Sequence, residues 1–99
     1  MGEGMTGATR SSAGLDERRR RLLYRLWHRG TREMDLIMGR FADAVIGELS
    51  DADVEALEWL GEVPDPDLYA WLSGERPVPP EYDTAMFRRL RDFHPAGTA

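Results

Sequence analysis

Few residues in this chain have the type and spacing that chemistry requires. His28 and His94 are the only two histidines, and neither has a second histidine or a carboxylate at a familiar metal-ligand spacing. Cysteine is absent, which excludes thiolate metal sites, disulfides and a cysteine nucleophile. No serine is placed beside a candidate general base. We therefore expect no metal site, no catalytic residue and no enzyme activity.

Two pairs of acidic residues resemble the carboxylate pairs of acid–base catalysis: Glu55 with Glu58, and Asp65 with Asp67. Such a pair works when a substrate lies between the two groups and one of them is kept protonated. Here the helical spacing places these residues on solvated helix faces or in a helix cap. We interpret both pairs as structural.

The run of four arginines from Arg18 to Arg21 is the strongest basic feature. Arginines of this kind can contact phosphates, and two helices joined by a tight turn are typical of helix-turn-helix proteins. Four successive helical residues point around most of the helix circumference, however, so only some would face one groove. The ten acids between Arg40 and Arg76, where no base occurs, would also repel a phosphate backbone. Nucleic-acid binding is thus the less favoured alternative in a chain of net charge −5.

The stretch WHRGTREMDL joins two segments that both have helical periodicity. Gly30 can end the first helix in a left-handed conformation, and Thr31 can cap the second. Glu33 and Asp35 fall in the first turn, where the helix dipole favours carboxylates. The same corner presents Arg29, Glu33 and Asp35 around a residue that lacks a side chain, where a partner backbone can come close. From the residues alone, a purely structural corner and a binding surface both remain open.

Helical patterns account for most of the remaining sequence. Apolar residues recur at three- and four-residue intervals, and no strand-like alternation competes with them. Residues 1–14 hold almost nothing apolar, which predicts a disordered tail. The predicted helices cover 15–28, 32–49, about three turns that Ser50 caps, a short segment with Asp65 as N-cap and Gly74 beyond its end, and 81–93.

These elements predict an all-α fold, a small antiparallel five-helix bundle that forms one domain over residues 15–95. Arg40, Asp43 and Gly47 fall on or near the polar side of the second helix. One of the three tryptophans is a candidate for an exposed anchor in an interface. The predicted apolar faces comprise Leu15, Leu22, Leu23, Leu26, Trp27, Met34, Ile37, Met38, Phe41, Val45, Leu49, Val54, Leu57, Leu60, Leu68, Tyr69, Trp71, Leu72, Tyr82, Met86, Leu90 and Phe93.

No apolar run approaches the roughly 18 residues that a membrane-spanning helix needs. The N-terminus also lacks the apolar core of a secretory signal, and its early Glu3 is unlike a transit peptide. We therefore expect no direct membrane insertion and a cytoplasmic location, with the mitochondrial matrix as the alternative.

The sequence from about Arg18 to His94 resembles the SdhE-type FAD assembly factors, which are also called succinate dehydrogenase flavinylation factors or the YgfY family. The segment RGTREMD matches their RGxxE signature in its extended form, RGxxExD. RRLLYRLWH before it, LIMGRFAD within the next helix and PDPDLYAWLSG further on follow the family's order and spacing. The tail over residues 1–14 lies outside this resemblance.

The resemblance implies a chaperone-like assembly factor that binds the flavoprotein subunit of succinate dehydrogenase, and often that of fumarate reductase. Such a factor promotes covalent attachment of FAD to its partner and holds no cofactor stably itself. Carried over residue by residue, the signature implies that Arg29 and Glu33 make charged hydrogen bonds to the flavoprotein. Asp35 would support them or contribute directly, and Gly30 would permit the close approach.

Other functions remain as alternatives. Some members of the family have been described as antitoxin-like proteins that act on cell division and shape, so a small adaptor that binds other proteins is the second hypothesis. A nucleic-acid-binding protein is the third. We expect the free protein to be a monomer.

Overall fold

The computed structural model describes residues 14–94. Within that range it contains five α-helices, two short 3₁₀ turns and no strand, which confirms the predicted all-α bundle. Of the predicted tail only Gly14 is described, and residues 1–13 and 95–99 lie outside the described part. The elements are α1 (Glu17–Trp27), α2 (Arg32–Val45), a 3₁₀ turn (Ile46–Glu48), α3 (Asp51–Gly61), α4 (Asp65–Ser73), a second 3₁₀ turn (Pro80–Tyr82) and α5 (Ala85–Phe93).

Side-chain caps start four of the five helices. The Thr31 hydroxyl accepts a hydrogen bond from the backbone N–H of Met34 at 3.3 Å, and the Ser50 hydroxyl accepts one from Asp53 at 3.1 Å, which confirms both predicted caps. Asp16 and Thr84 cap α1 and α5 in the same way. Each cap satisfies a backbone donor that the helix itself leaves without a partner.

The predicted cap of α4 is wrong. Pro64 occupies the N-cap position without a side-chain hydrogen bond, and Asp65 is the first helical residue. The carboxylate of Asp65 is engaged by a distant arginine instead of by its own helix, as described below. Gly74 does follow the end of α4 in a left-handed conformation, with φ of 84°.

Two helix boundaries also differ from the prediction. α2 tightens into the first 3₁₀ turn after Val45, and Leu49 is extended, so the helix is shorter than predicted. The last helix starts at Ala85 instead of at residue 81, because a separate 3₁₀ turn follows Pro79 and Thr84 then provides a new cap. Prolines lack the N–H that would continue a helix through this connector.

A single apolar core joins all five helices, and α1 packs most extensively against α2. Gly39 lies against the indole of Trp27, and a Cβ atom at this position would overlap the ring. The missing side chain thus allows α2 to pack closely against the last residue of α1, beside the corner that joins the two helices. The largest fully buried side chains are Phe41, Phe87, Leu22, Leu26, Met38, Ile46, Leu57, Leu60, Leu68, Leu90 and Val54.

Some residues do not follow the periodicity of their helices. Asp43, which the pattern places on the polar side of α2, is buried with 6% of its surface exposed. Tyr69 and Phe93, which the pattern assigns to apolar faces, are 42% and 43% exposed. Trp59 is also partly exposed and stacks on Tyr82 with ring centroids 4.4 Å apart, so it is the tryptophan that stands at the surface.

No helix between residues 14 and 94 is long and apolar enough to cross a membrane.

Candidate functional site

The corner between α1 and α2 is a tight turn that glycine makes possible. α1 ends at Trp27, and His28 follows as its C-cap with its ring nitrogen Nδ1 2.7 Å from the carbonyl oxygen of Tyr24. This contact gives His28 a structural role at the end of α1. Gly30 then adopts φ of 115°, a conformation that L side chains disfavour, and Thr31 caps α2.

Asp35 closes the corner from the inside. Its Oδ1 atom accepts hydrogen bonds from the backbone N–H groups of Arg29, at 2.5 Å, and of Gly30, at 3.2 Å. Both donors lie between the two helices and have no helical partner of their own, so the carboxylate takes the place of missing backbone bonds. The carboxylate thus holds the backbone of the turn in a defined shape.

The side chain of Arg29 turns away from the corner and connects it to the loop between α3 and α4. Its Nε donates to Oδ1 of Asp65 at 2.6 Å, and Nη1 and Nη2 donate to the carbonyl oxygens of Gly61 and Val63, each at 2.8 Å. The planar guanidinium presents its donors as a rigid fork, which is why one arginine can satisfy a carboxylate and two carbonyls together. We call this arrangement the Arg29 clamp.

The Arg29 clamp is largely shielded from water. The side chains of Arg29 and Asp65 are 10% and 18% exposed. A shielded ion pair is stable only when further hydrogen bonds satisfy its remaining donors and acceptors, and the two carbonyls provide them here. The arginine of the RGxxE signature is therefore part of the internal structure of the protein.

Gly30 and Glu33 face outward. A Cβ atom built on Gly30 would meet no atom within 4 Å, so the space in front of this residue is open. Glu33 is exposed in the first turn of α2, and no residue within 14–94 forms an ion pair or hydrogen bond with its carboxylate. The corner thus presents a bare backbone segment next to an acceptor that is available to a partner.

A shallow depression of about 310 Å³ adjoins the corner on the α1 side. The Tyr24 ring stacks on His28 at its rim, with ring centroids 4.0 Å apart, and Arg25 at the same rim pairs with Glu62. The lining residues are Tyr24, Arg25, Leu26, His28, Arg29 and Gly61. This surface combines an aromatic ring with a cation, a composition common in protein interfaces.

The arginines of the basic run are engaged within the protein. Arg18 pairs with Glu58 at 2.7 Å, and this hydrogen bond holds the pKa of the Glu58 carboxyl below its ordinary value. Arg19 donates to the carbonyl of Leu49 and pairs with two aspartates, whereas Arg20 and Arg21 bond to acceptors near their own helix start. These partners would have to be given up before the run could contact phosphates, which weighs further against nucleic-acid binding.

The other candidate groups are dispersed. No cluster of three or more histidine or acidic side chains within residues 14–94 is arranged to hold a metal ion. The Nε2 atom of His94 lies 2.9 Å from the carbonyl oxygen of Ile37, far along the chain from His28. Glu58 and Asp65, one from each acid pair considered above, both bind arginines.

The structure thus brings the four predicted site residues together at one corner but gives them different surroundings. The arginine and the aspartate of RGxxExD are turned inward, and its glycine and glutamate face solvent. Sequence reasoning missed Asp65 as a member of this site, because it lies 36 positions from Arg29. Its charge was the only available signal, and many other acids share it.

The fold and the site define a small all-α protein whose α1–α2 corner is braced from inside and open to solvent at Gly30. Residues 20–94 match the family described as "Flavinator of succinate dehydrogenase", and the chain belongs to this family. This match confirms the SdhE-type resemblance of the sequence.

Characterised relatives agree with this assignment. The chain is 42% identical over 76 residues to the FAD assembly factor SdhE of Acetobacter pasteurianus, an alignment that covers 77% of this chain and 70% of the relative. It is 32% identical over 77 residues to mitochondrial succinate dehydrogenase assembly factor 2 of Dictyostelium discoideum, covering 78% and 55%. It is 35% identical over 85 residues to mitochondrial succinate dehydrogenase assembly factor 2-B of Drosophila ananassae, covering 84% and 52%.

The chain spans about half the length of these two mitochondrial relatives. No solved structure matches it. The family is one of assembly factors, which agrees with the expectation that the chain is not an enzyme.

Proposed function

We propose that this protein is an assembly factor that binds the flavoprotein subunit of succinate dehydrogenase and promotes covalent attachment of FAD to it. The family and the names of its relatives support this role. The observation that carries the proposal is the α1–α2 corner, where Gly30 is open to solvent beside the exposed Glu33 in a turn braced from inside. A rigid and uncovered corner is suited to binding a protein partner with little loss of conformational entropy.

The four residues of the signature have two kinds of role in this proposal. Gly30 and Glu33 contact the flavoprotein, since a partner backbone can approach the glycine and donate hydrogen bonds to the neighbouring carboxylate. Arg29 and Asp35 contribute by holding the turn in the shape that presents the other two. Any contact that Arg29 makes to the partner uses the small exposed part of its side chain.

The protein acts in this proposal by shifting a population. It binds the arrangement of the flavoprotein that is competent for flavin attachment better than other arrangements, and it raises the occupancy of that arrangement by the difference in affinity. FAD stays with the flavoprotein throughout, so the factor needs neither a stable cofactor site nor a catalytic group. The bond to the flavin is formed by the partner.

The proposal also covers a second partner, the oligomeric state and the location of the protein. The flavoprotein subunit of fumarate reductase is a second partner, and the free factor is a monomer. We place the protein in the cytoplasm because the relative from a bacterium is 42% identical, against 32% for the mitochondrial relative from Dictyostelium. The mitochondrial matrix is the alternative.

In-gel flavin fluorescence tests the proposal, because covalent flavin remains on the flavoprotein after denaturation. Cells that lack the gene are complemented with the wild type, Gly30→Arg or Glu33→Gln. The matched controls are Gly74→Arg, at another left-handed glycine with open space before it, and Glu81→Gln, at another exposed glutamate. We expect the wild type and both controls to restore the fluorescence and the two corner variants to fail.

Two other outcomes of the fluorescence experiment would change the proposal. Equal fluorescence with and without the gene would contradict a role in flavin attachment and would favour the adaptor hypothesis. Restoration by Gly30→Arg and Glu33→Gln in a cell that depends on the gene would keep the function but move the binding surface away from the corner.

A further inference from the structure

We propose that Asp65 is a positioning residue for the α1–α2 corner, which it holds in its binding shape through the guanidinium of Arg29. This inference rests on the proposed function for its consequence in binding, whereas its structural part concerns the free protein alone. It gives a residue outside the RGxxE signature a role in shaping the proposed binding surface, although Asp65 is 36 positions away from Arg29 in the chain.

The first step is the orientation of Arg29. Its Nε, Nη1 and Nη2 atoms all donate to acceptors between residues 61 and 65, and only 10% of the side chain is exposed. An arginine held in this way has most of its hydrogen-bonding capacity engaged inside the protein. Its main effect on a partner is therefore exerted through the shape of the corner.

The second step is the continuity of the bonds. Asp65 binds the side chain of Arg29, while the backbone N–H of Arg29 donates to the carboxylate of Asp35, which also accepts from the N–H of Gly30. One short path of hydrogen bonds thus runs from the first residue of α4 to the glycine at the surface. Removing Asp65 leaves the guanidinium bound only to the carbonyls of Gly61 and Val63, so Arg29 loses the one charged partner that fixes its position beside Gly30.

The third step is the position of Asp65 in its own helix. It is not the N-cap of α4, where its carboxylate would have served local structure, but the first helical residue. Pro64 before it makes no side-chain cap. Both long-range contacts of this carboxylate reach the corner: Oδ1 accepts from Nε of Arg29 at 2.6 Å, and Oδ2 accepts from the Thr31 hydroxyl at 3.5 Å. The bond to Arg29 is the shorter of the two and carries the charge, so its loss is the main consequence of replacing Asp65.

The same helix offers a matched control. Asp67 lies two residues further on and also pairs with an arginine, Arg76, at 2.9 Å. The side chain of Asp67 is 45% exposed and that of Arg76 is 53% exposed, and Arg76 lies past the end of α4 in the chain. An Asp→Ala change at this position removes an aspartate–arginine pair from α4 without touching the Arg29 clamp.

The experiment measures two quantities on the full chain. One is the amide resonance of Gly30 in a ¹H–¹⁵N spectrum of the free protein, and the other is the Kd for the flavoprotein subunit of succinate dehydrogenase before flavin attachment. The variants are Asp65→Ala, the milder Asp65→Asn, the control Asp67→Ala, Arg29→Ala and the double variant Arg29→Ala/Asp65→Ala. Far-UV circular dichroism checks that each is folded.

We expect Asp65→Ala to shift the Gly30 resonance and to weaken binding at least about tenfold, as when a preorganised surface must be ordered on association. Asp65→Asn keeps an acceptor for Nε and should cause smaller changes in the same direction, so it carries the test if Asp65→Ala does not fold. Asp67→Ala should match the wild type. The double variant should bind no more weakly than Arg29→Ala, because both changes break one path.

Two results would overturn the inference. A Gly30 resonance and a Kd that stay at the wild-type values in both Asp65 variants would show that Asp65 does not position the corner. A double variant whose loss equals the product of the two single losses would show that Arg29 acts on the partner independently of Asp65. If the wild type itself fails to bind the flavoprotein, the proposed function fails, while the Gly30 resonance of the free protein still decides whether the clamp holds the corner.

Discussion

Two glycine corners in this protein are alike locally and different in their surroundings. Gly30 lies beyond the end of α1 and Gly74 beyond the end of α4, both with positive φ, and a Cβ atom on either would meet nothing within 4 Å. Each corner has an arginine–aspartate pair whose aspartate belongs to α4. The pair beside Gly30 is shielded and crosses the fold, whereas the pair beside Gly74 is exposed and local.

The comparison shows that burial of the arginine–aspartate pair, and not the residue types that form it, determines whether the pair holds its corner in place. An exposed ion pair is weakened by water and by the entropy lost when two long side chains are held together, so it contributes little to stability. A shielded pair with additional hydrogen bonds cannot be broken without leaving a charge unpaired away from water. The Gly30 corner is therefore braced against the rest of the protein, and the Gly74 corner is an ordinary helix end.

The two corners should differ most in the free energy of unfolding that is lost when each arginine–aspartate pair is broken. Arg29→Ala leaves the Asp65 carboxylate shielded and unpaired, and we expect it to lower the free energy of unfolding by about 3 to 5 kcal/mol. Arg76→Ala should lower it by about 0 to 1 kcal/mol. Chemical denaturation followed by circular dichroism measures both, and comparable losses for the two variants would remove the distinction between the corners.

The next prediction concerns the close packing of α1 on α2, where Trp27 at the end of α1 lies against Gly39 of α2. Gly39→Ala forces a methyl group into the Trp27 ring, and we expect the overlap to cost about 1 to 3 kcal/mol in the free energy of unfolding. Gly61→Ala is the matched control, because its Cβ would lie 3.3 Å from Leu26 Cδ2 and needs only a small adjustment. A Gly39→Ala protein as stable as the wild type would mean that Trp27 can move without cost.

The two glycines themselves should differ in binding but not in stability. Gly30→Ala and Gly74→Ala each place a side chain at positive φ, which we expect to cost about 1 to 2 kcal/mol at either corner. Only Gly30→Ala should also weaken binding to the flavoprotein, because only that methyl group lies on the proposed surface. Thermal unfolding and a binding titration separate the two effects, and equal losses of affinity would argue against the Gly30 corner as the interface.

A smaller effect is expected at the end of α5, where His94 contacts the carbonyl of Ile37 on α2. Burial lowers the pKa of His94 below its ordinary value of 6.5, and the nearby Arg40 acts in the same direction. As pH falls below 6.5, the unfolded chain takes up a proton at this residue before the folded protein does, so stability should fall with pH until the folded-state pKa is passed. This dependence should be weaker in His94→Gln.

The measurement for that prediction is the free energy of unfolding between pH 7 and pH 5. The variant should lose less stability than the wild type over this range, and identical slopes for the two proteins would contradict the assignment to His94. Arg29→Ala should retain the slope, since the corner and the end of α5 are separate sites.

Local signals predicted the helices well. Thr31 and Ser50 cap their helices as expected, Gly74 ends α4, and the three- and four-residue periodicity identifies most of the core. These features depend on residues within one turn of each other, which is why sequence alone reveals them. The start of α5 was predicted too early, because the Pro-rich connector forms its own 3₁₀ turn and Thr84 then starts the helix.

The signature at the corner was also readable, but the roles of its residues were not. The positive φ of Gly30 follows from its place between two helices, and so does the cap at Thr31. The direction of the Arg29 side chain does not, since it depends on carbonyl oxygens and a carboxylate that α3 and α4 bring to the corner. Asp43 is a similar case, because a burial of this kind cannot be inferred from one helix.

The sequence by itself determined the helices, the caps at Thr31 and Ser50, the family and the location of the corner, because each of these is encoded by neighbouring residues or by an ordered set of motifs. Only the tertiary structure decided which side chains of the signature brace the corner from inside and which residues face solvent. That distinction depends on distances across the chain and on exclusion of water, and neither has a local pattern. The same long-range contacts lead from the four residues of the signature to Asp65, whose replacement tests the proposed surface.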